Sequence, residues 1–248
     1  MNMFLILAFL FAVGSAIGWA IEVVYRRFFS AANKERKWIN PGFLSGPYLP
    51  MYGFALIVLF LLAKIESYVP IENNVLRKLV LFIIMAICIT IIEYFTGLIF
   101  IVKMKIKLWD YSHNFGNIKG IICPLYSFFW MILSAIFYFL VNPYISNALK
   151  WLSENLAFSF VIGFFFGVFA IDLFESIRNI IKISSFALEN DIIILLDDLK
   201  NQIRTYKEQK KEKAKFILSY HSSDSIQNHL KRYKEIRSNI KERLPKIK

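Results

Sequence analysis

Five apolar stretches, about Met3 to Tyr25, Pro47 to Ala63, Leu79 to Val102, Ile121 to Val141 and Leu156 to Ile181, restrict this chain more than any other feature. About 20 apolar residues cross a hydrocarbon core of roughly 30 Å. Inside it the backbone must satisfy its own N–H and C=O groups, which leaves helices. The second stretch is short, and to span it would extend beyond Ala63. At 57% hydrophobic and 17% aromatic residues, the chain is too apolar for the surface of a soluble domain of its size. The expected fold is therefore all-α, a polytopic membrane protein of five transmembrane helices over residues 1–182, with a basic helical tail over 183–248.

The hydrophobic part carries an internal repeat. The segment NPGFLSGPYLPMYG at Asn40 to Gly53 recurs in outline as NFGNIKGIICPLYS at Asn114 to Ser127. At one offset, Asn40 matches Asn114, Gly42 matches Gly116, Gly46 matches Gly120, Pro50 matches Pro124 and Tyr52 matches Tyr126. Each copy follows an apolar stretch bearing a glutamate, Glu22 or Glu93, and leads into another apolar stretch, as a duplicated two-helix unit would. The first stretch lacks the basic leader of a signal peptide and has a counterpart in the third, so it reads as a retained span.

Orientation follows from the basic residues. Five Lys and Arg lie between Arg26 and Gly46, four between Lys103 and Gly120, and seventeen from Arg178 onward, whereas the opposite side collects only Lys64, Arg77, Lys78 and Lys150. The expectation is an N-terminus outside and a C-terminus in the cytoplasm. From about Ile183 the chain turns rich in Lys, Glu and Asp, with Leu188, Ile192, Leu195, Leu199, Ile203 and Tyr206 spaced as a helical stripe. A break at His221 to Ser225, with Ser223 a candidate N-cap, precedes a second pattern at Ile226, Leu230, Tyr233, Ile236 and Ile240. The tail thus reads as a helical hairpin or two coiled-coil segments, drawn to anionic lipid by its charge. No nucleic-acid module is discernible.

The candidate chemistry lies where the repeats meet the membrane. Proline suits the first turn of a helix, so Pro47 and Pro50 start the second span and Pro124 the fourth. The free N–H groups at these starts, with Gly46 and Gly120 allowing close backbone approach, form a face suited to a carboxylate or phosphate. Charged side chains within spans cost about 2.5–3.5 kcal/mol at the centre on insertion scales. Glu22 lies near its helix end within reach of Arg26, whereas Glu93 is deeper with no base within a turn. Asp172 and Glu175 add two acids in the fifth span, Arg178 standing three residues beyond Glu175. Two readings stay open for these acids. Either they accept bonds from the helix starts and tie the bundle together, or, with Asn40, Asn114 and Asp110, they form a substrate or ion site between the repeats.

Catalytic and metal chemistry find no support. Cys88 and Cys123 read as small packed residues rather than a disulfide framework, and His113, His221 and His229 have no metal-ligand spacing. No nucleophile constellation is discernible, no GxxxxGK[ST] phosphate loop is present, and no cofactor is implied. The tryptophans Trp19, Trp38, Trp109 and Trp130 fit a membrane-interface belt.

The segments GWAIEVVY at Gly18 to Tyr25, NPGFLSGPYLPMYG at Asn40 to Gly53, IEYFTG at Ile92 to Gly97, and WDYS at Trp109 to Ser112 followed by Asn117, Gly120 and Cys123 resemble the ABC-transporter permease family of the CmpB type. The resemblance covers about residues 1–180. Pro41 stands where the family has a basic residue after the first Asn. The resemblance implies a membrane permease-like component of a transporter, with an ATPase subunit as partner and no assigned catalytic residues. Five spans are few for an alternating-access path, so a second copy or another membrane subunit is expected beside the lipid contact. Two further readings remain: a membrane-embedded enzyme acting on a lipid or polyprenyl head group through Glu93 and Asp110, and a scaffold or sensor acting through its tail.

Overall fold

The computed structural model describes residues 3–30, 33, 35–155, 157–209, 231 and 234. Helix α1 (Met3–Phe28) is followed by a loop and by α2 (Pro50–Ile65), which ends in a 3₁₀ turn at Glu66–Tyr68. Helix α3 (Asn74–Met104) leads through the two-residue strand β1 (Ile106–Lys107) and a second loop to α4 (Pro124–Ala135). A π-helical segment, Ile136–Val141, joins α4 to α5 (Asn142–Glu154). The wider turn falls just ahead of Pro143, whose ring and missing N–H disfavour regular α-helix there. Helix α6 (Phe158–Glu189), strand β2 (Ile194–Leu195) and helix α7 (Leu196–Gln209) complete the described chain.

Among the described residues, four helical segments are long and apolar enough to cross a membrane: Met3–Phe28, Asn74–Met104, Pro124–Ile145 and Phe158–Glu189. The second of the five expected spans is the apolar helix Pro50–Ile65 of 16 residues. At 1.5 Å per residue it covers about 24 Å, less than the roughly 30 Å of a hydrocarbon core. It begins at Pro50, so Pro47 precedes the helix instead of starting it. Pro124 does open α4.

Helix α2 packs along α1 and against α3, while α4 packs against α3. Ile6, Leu10, Leu59, Phe60, Leu81, Met85, Ile89 and Trp130 form one core between these four helices. Helix α6 lies across α1 and α3, where Phe166 and Phe169 close on Phe11 at 5.8 and 5.5 Å between ring centroids. The outward faces stay apolar: Phe95, Phe128, Phe160, Phe164 and Phe174 are all exposed, as a lipid-facing surface requires.

The chain beyond Ile183 differs from one continuous stripe. Helix α6 runs on to Glu189, and the backbone then turns through Asp191 at φ +46°. Strand β2 pairs in parallel with β1, Ile106 facing Ile194 and Lys107 facing Leu195. Ile194, Leu196, Leu199 and Ile203 are buried with Ile106, Ile180, Ile183 and Ala187 in a second core. Helix α7 is thereby fastened to the end of the bundle formed by the two loops, called the loop end below. Ser223, the expected N-cap, and the pattern residues Ile226, Leu230, Tyr233, Ile236 and Ile240 lie outside the described residues.

Candidate functional site

Glu22 of α1 and Glu93 of α3 reach the same region from different helices. Helix α1 continues six residues past Glu22 and α3 eleven past Glu93, which sets the carboxylates about 9 and 16 Å from their helix ends at 1.5 Å per residue. Each is farther from its helix end than the apolar stretches alone indicated, because the helices run on beyond those stretches. Arg26, one turn after Glu22, donates from Nε to Glu22 Oε1 at 2.8 Å and from Nη1 to Asp197 of α7 at 2.6 Å. Tyr52 of α2 donates to Glu22 Oε2 at 3.2 Å. Glu93 is 2% exposed. Its Oε1 accepts from the Tyr111 hydroxyl at 3.2 Å, and the Trp130 indole faces the same carboxyl. Its Oε2 is buried without a hydrogen-bond partner.

Aromatic rings join these acids into one cluster. Tyr111 stacks on Tyr126 with centroids 4.0 Å apart and planes 8° off parallel. The Tyr126 and Tyr25 hydroxyls share a hydrogen bond of 2.9 Å, and Tyr52 lies 4.9 Å from Trp130. Tyr52 interacts electrostatically with both Glu22 and Glu93. Its position depends on Gly18: a Cβ there would stand 2.1 Å from Tyr52 Cγ and 2.2 Å from its Cβ. Gly14 and Gly18, four residues apart on one helix face, let α2 approach α1 closely enough to deliver the Tyr52 hydroxyl to Glu22.

Asp172 is built differently. Its carboxylate accepts from the backbone of Ser45 at 3.1 Å and Gly46 at 2.8 Å, from Tyr48 Oη at 2.6 Å and from Ser176 Oγ at 3.0 Å. The backbone N–H groups ahead of α2 therefore already hold an anion, one supplied by α6 of the same chain. In the second loop Gly120, at φ +68°, donates to Asn117 Oδ1 at 3.0 Å, and a Cβ on Gly120 would meet Ser112 Oγ at 2.5 Å. Gly42 and Gly116 also share a positive φ, +72° and +65°.

The remaining sequence candidates organise the loops. Asn40 accepts from Trp19 Nε1 at 2.6 Å and donates to Leu44 O and Ser45 O at 3.2 and 2.9 Å. Asn114 instead donates to Cys123 Sγ at 3.5 Å, and Asn117 ties the second loop by donating to Ser112 O and Asn114 O. Asp110 stands apart from Glu93, near the surface. Burial works against its charge, yet hydrogen bonds from Ser112 and Lys107 hold its carboxyl below the usual range. Glu175 is half-buried on α6, while Arg178 lies over the Phe174 ring at 5.7 Å. Lys200 of α7 caps the first loop by donating to Asn40 O at 3.1 Å and to Gly42 O. Burial pushes its pKa down to about 8, the attraction of Asp197 partly offsetting this.

Of the residues expected at a site, Glu22 and Glu93 share one cluster, Asp172 has a separate set of partners, and Asn40, Asn114 and Asp110 shape loops. The cluster's other polar members, Tyr25, Tyr52, Tyr111 and Tyr126, carried a sequence signal only in part. Tyr52 and Tyr126 stand at matching places in the two similar sequence segments, and a buried tyrosine hydroxyl usually has a partner.

Apolar helices long enough to span a bilayer, with buried acids between them, define a multi-pass helical membrane protein. A family model described as "Putative ABC-transporter type IV" matches residues 9–177, and the chain belongs to that family. Fold and family together make it a membrane component of transporter type. No curated protein matches the chain. No solved structure matches it.

Proposed function

We propose that this chain is the permease-like subunit of a transporter and that its working site is the cluster of Glu22, Tyr52, Glu93 and Tyr111. The observation that carries this reading is Glu93, whose carboxyl is 2% exposed with one oxygen lacking a partner. A polar group in a bilayer interior is costly and is kept when it is satisfied or used. Asp172 shows the satisfied case in the same molecule, with four groups donating to its two oxygens. Glu93 is the unsatisfied case, and it lies where α1 and α2 of the first repeat meet α3 and α4 of the second.

In this reading Pro50–Ile65 is a fifth, short span, and the repeats share one orientation because an even number of spans separates them. The basic loops and α7 then face the cytoplasm, in keeping with the distribution of Lys and Arg. Energy comes from a separate ATPase subunit, since the chain carries no phosphate-binding loop of the GxxxxGK[ST] type. A second copy or another membrane subunit completes the path. The test is purification from native membranes followed by reconstitution. An ATPase subunit should co-purify, and its hydrolysis should rise in the presence of the wild-type chain but not of Glu93→Gln. An ATPase that neither co-purifies nor responds would overturn the proposal.

A further inference from the structure

We infer that the ligand held at this cluster is a proton, carried by Oε2 of Glu93. The inference deepens the reading of the cluster as the working site, and it rests on a charge inventory and on donor geometry. Two cations, Arg26 and Lys200, stand with two acids, Glu22 and Asp197. Arg26 binds both acids at 2.8 and 2.6 Å, and Lys200 interacts electrostatically with Asp197 while capping the first loop. The group is balanced before Glu93 is counted. An ionised Glu93 would add an uncompensated charge to a carboxyl that is 2% exposed, with Glu22 close enough to act on it electrostatically.

Among the described residues, no element packed around Glu93 supplies a cation that would offset this charge. From α2 comes Tyr52, whose hydroxyl is given to Glu22. The second loop brings Tyr111, which donates to Oε1. From α4 come Trp130, and Tyr126 with its hydroxyl bonded to Tyr25 of α1. The acid of α6 nearest the loop end of α2, Asp172, is turned to Ser45, Gly46 and Tyr48. Arg26 of α1 and Asp197 of α7 are committed to each other and to Glu22.

A metal cation would need several oxygen ligands, and among the described residues no three of His, Cys, Asp and Glu stand together to hold one. A proton needs a single lone pair, which Oε2 has to offer; Asp197 Oδ1 is likewise buried without a hydrogen-bond partner, but its carboxylate is paired with the Arg26 guanidinium at 2.6 Å. Protonation converts a buried anion into a neutral group, removing most of the desolvation cost. In this reading Oε1 keeps its bond from Tyr111 in both states and Oε2 gains and loses the hydrogen.

The experiment is infrared difference spectroscopy of the full chain reconstituted in lipid, titrated with acid and alkali in H₂O and D₂O. A protonated-carboxyl band should be present at pH 7, shift in D₂O, disappear as the pH is raised, be absent from Glu93→Gln and persist in Glu22→Gln. Absence of any such band at pH 7, or its survival in Glu93→Gln, overturns the assignment. If Glu93→Gln does not insert, Glu93→Asp keeps an ionisable carboxyl on a shorter stem and must move the band; an unmoved band overturns it equally. The two proposals fail separately. A band assigned to Glu93 with transport unchanged in Glu93→Gln removes the working-site reading and leaves the proton, whereas lost transport without the band does the reverse.

Discussion

Gly18 offers the sharpest test of how the cluster is assembled. A Cβ at this position would lie 2.1 Å from Tyr52 Cγ, 2.2 Å from Cβ and 2.6 Å from Cδ1, whereas carbon atoms rest at about 3.5–4.0 Å. The clashing atoms are the root of the side chain, so no rotation of the ring relieves them and α1 and α2 must separate by roughly 1.5 Å. Overpacking of this kind costs about 1–3 kcal/mol, against a gain of up to about 1 kcal/mol from replacing glycine by alanine inside a helix.

Comparison with other glycines isolates the clash. At Gly14 the nearest atoms are Leu56 Cβ at 2.9 Å and Tyr52 O at 3.0 Å, a milder conflict, while Gly163 and Gly167 have nothing within 4 Å. Thermal unfolding in a mild detergent should therefore rank Gly18→Ala lowest, Gly14→Ala between, and Gly163→Ala and Gly167→Ala at or above wild type. The helix-propensity gain is common to all four variants, so the spread from first to last should be the clash itself, about 1–3 kcal/mol, on the order of 2–12 °C for a chain of this size. A Gly18→Ala protein as stable as Gly167→Ala would refute the close α1–α2 approach.

Other expectations follow from the same contacts. Asp172→Asn should lower stability by about 1–3 kcal/mol, because an amide nitrogen turned toward the Ser45 and Gly46 N–H groups meets donors instead of an acceptor; retention of wild-type stability in detergent melts would contradict this. Lys200 has a folded-state pKa near 8, below its ordinary value of about 10.4, so its unfavourable contribution is fully present below pH 8 and is relieved as the pH rises toward the unfolded value. Hydrogen exchange of α7 should accordingly slow between pH 8 and 10 after correction for intrinsic rates, by a factor equivalent to about 1–3 kcal/mol, and Lys200→Met should flatten that dependence. Cysteines placed singly at Asn73 and Asn147 should react with an impermeant thiol reagent outside intact cells, whereas those at Asn33, Asn114 and Ser222 should not; outside labelling of Ser222 would overturn the five-span topology.

The long apolar runs made the helical membrane architecture readable, because a bilayer leaves the backbone few alternatives. The exception was α2, where an apolar helix of 16 residues falls between a buried helix and a span and composition does not choose. The motif at Asn40 to Gly53 drew attention to Pro50, Gly42 and Gly46. Sequence could not show that the anion face there receives Asp172, 126 residues from Gly46 along the chain, since that pairing is set by how α6 lies across α1. Glu93 stood out for want of a nearby base, and the structure places it deep in the bundle. Tyr111 was invisible as its partner because a loop residue 18 positions away carries no periodic signal. Of the stripe from Leu188 to Ile203, Leu199 and Ile203 are buried, whereas Leu188 is exposed and Ile194 and Leu196 take the buried places instead of Ile192 and Leu195. Its period was broken at Asp191 by the pairing of β2 with β1, a non-local contact that local spacing does not encode.

The central claim, that Glu93 works and does not merely pack, is tested most directly by measuring transport or complementation per folded molecule in Glu93→Gln. The amide keeps the shape and the acceptor for Tyr111 while removing the titratable proton, so normal insertion, a melting temperature near wild type and loss of activity are expected. Full activity at normal stability would contradict the claim. Reduced stability with activity falling only in step with the folded fraction would contradict it too, and would make Glu93 a tie between helices.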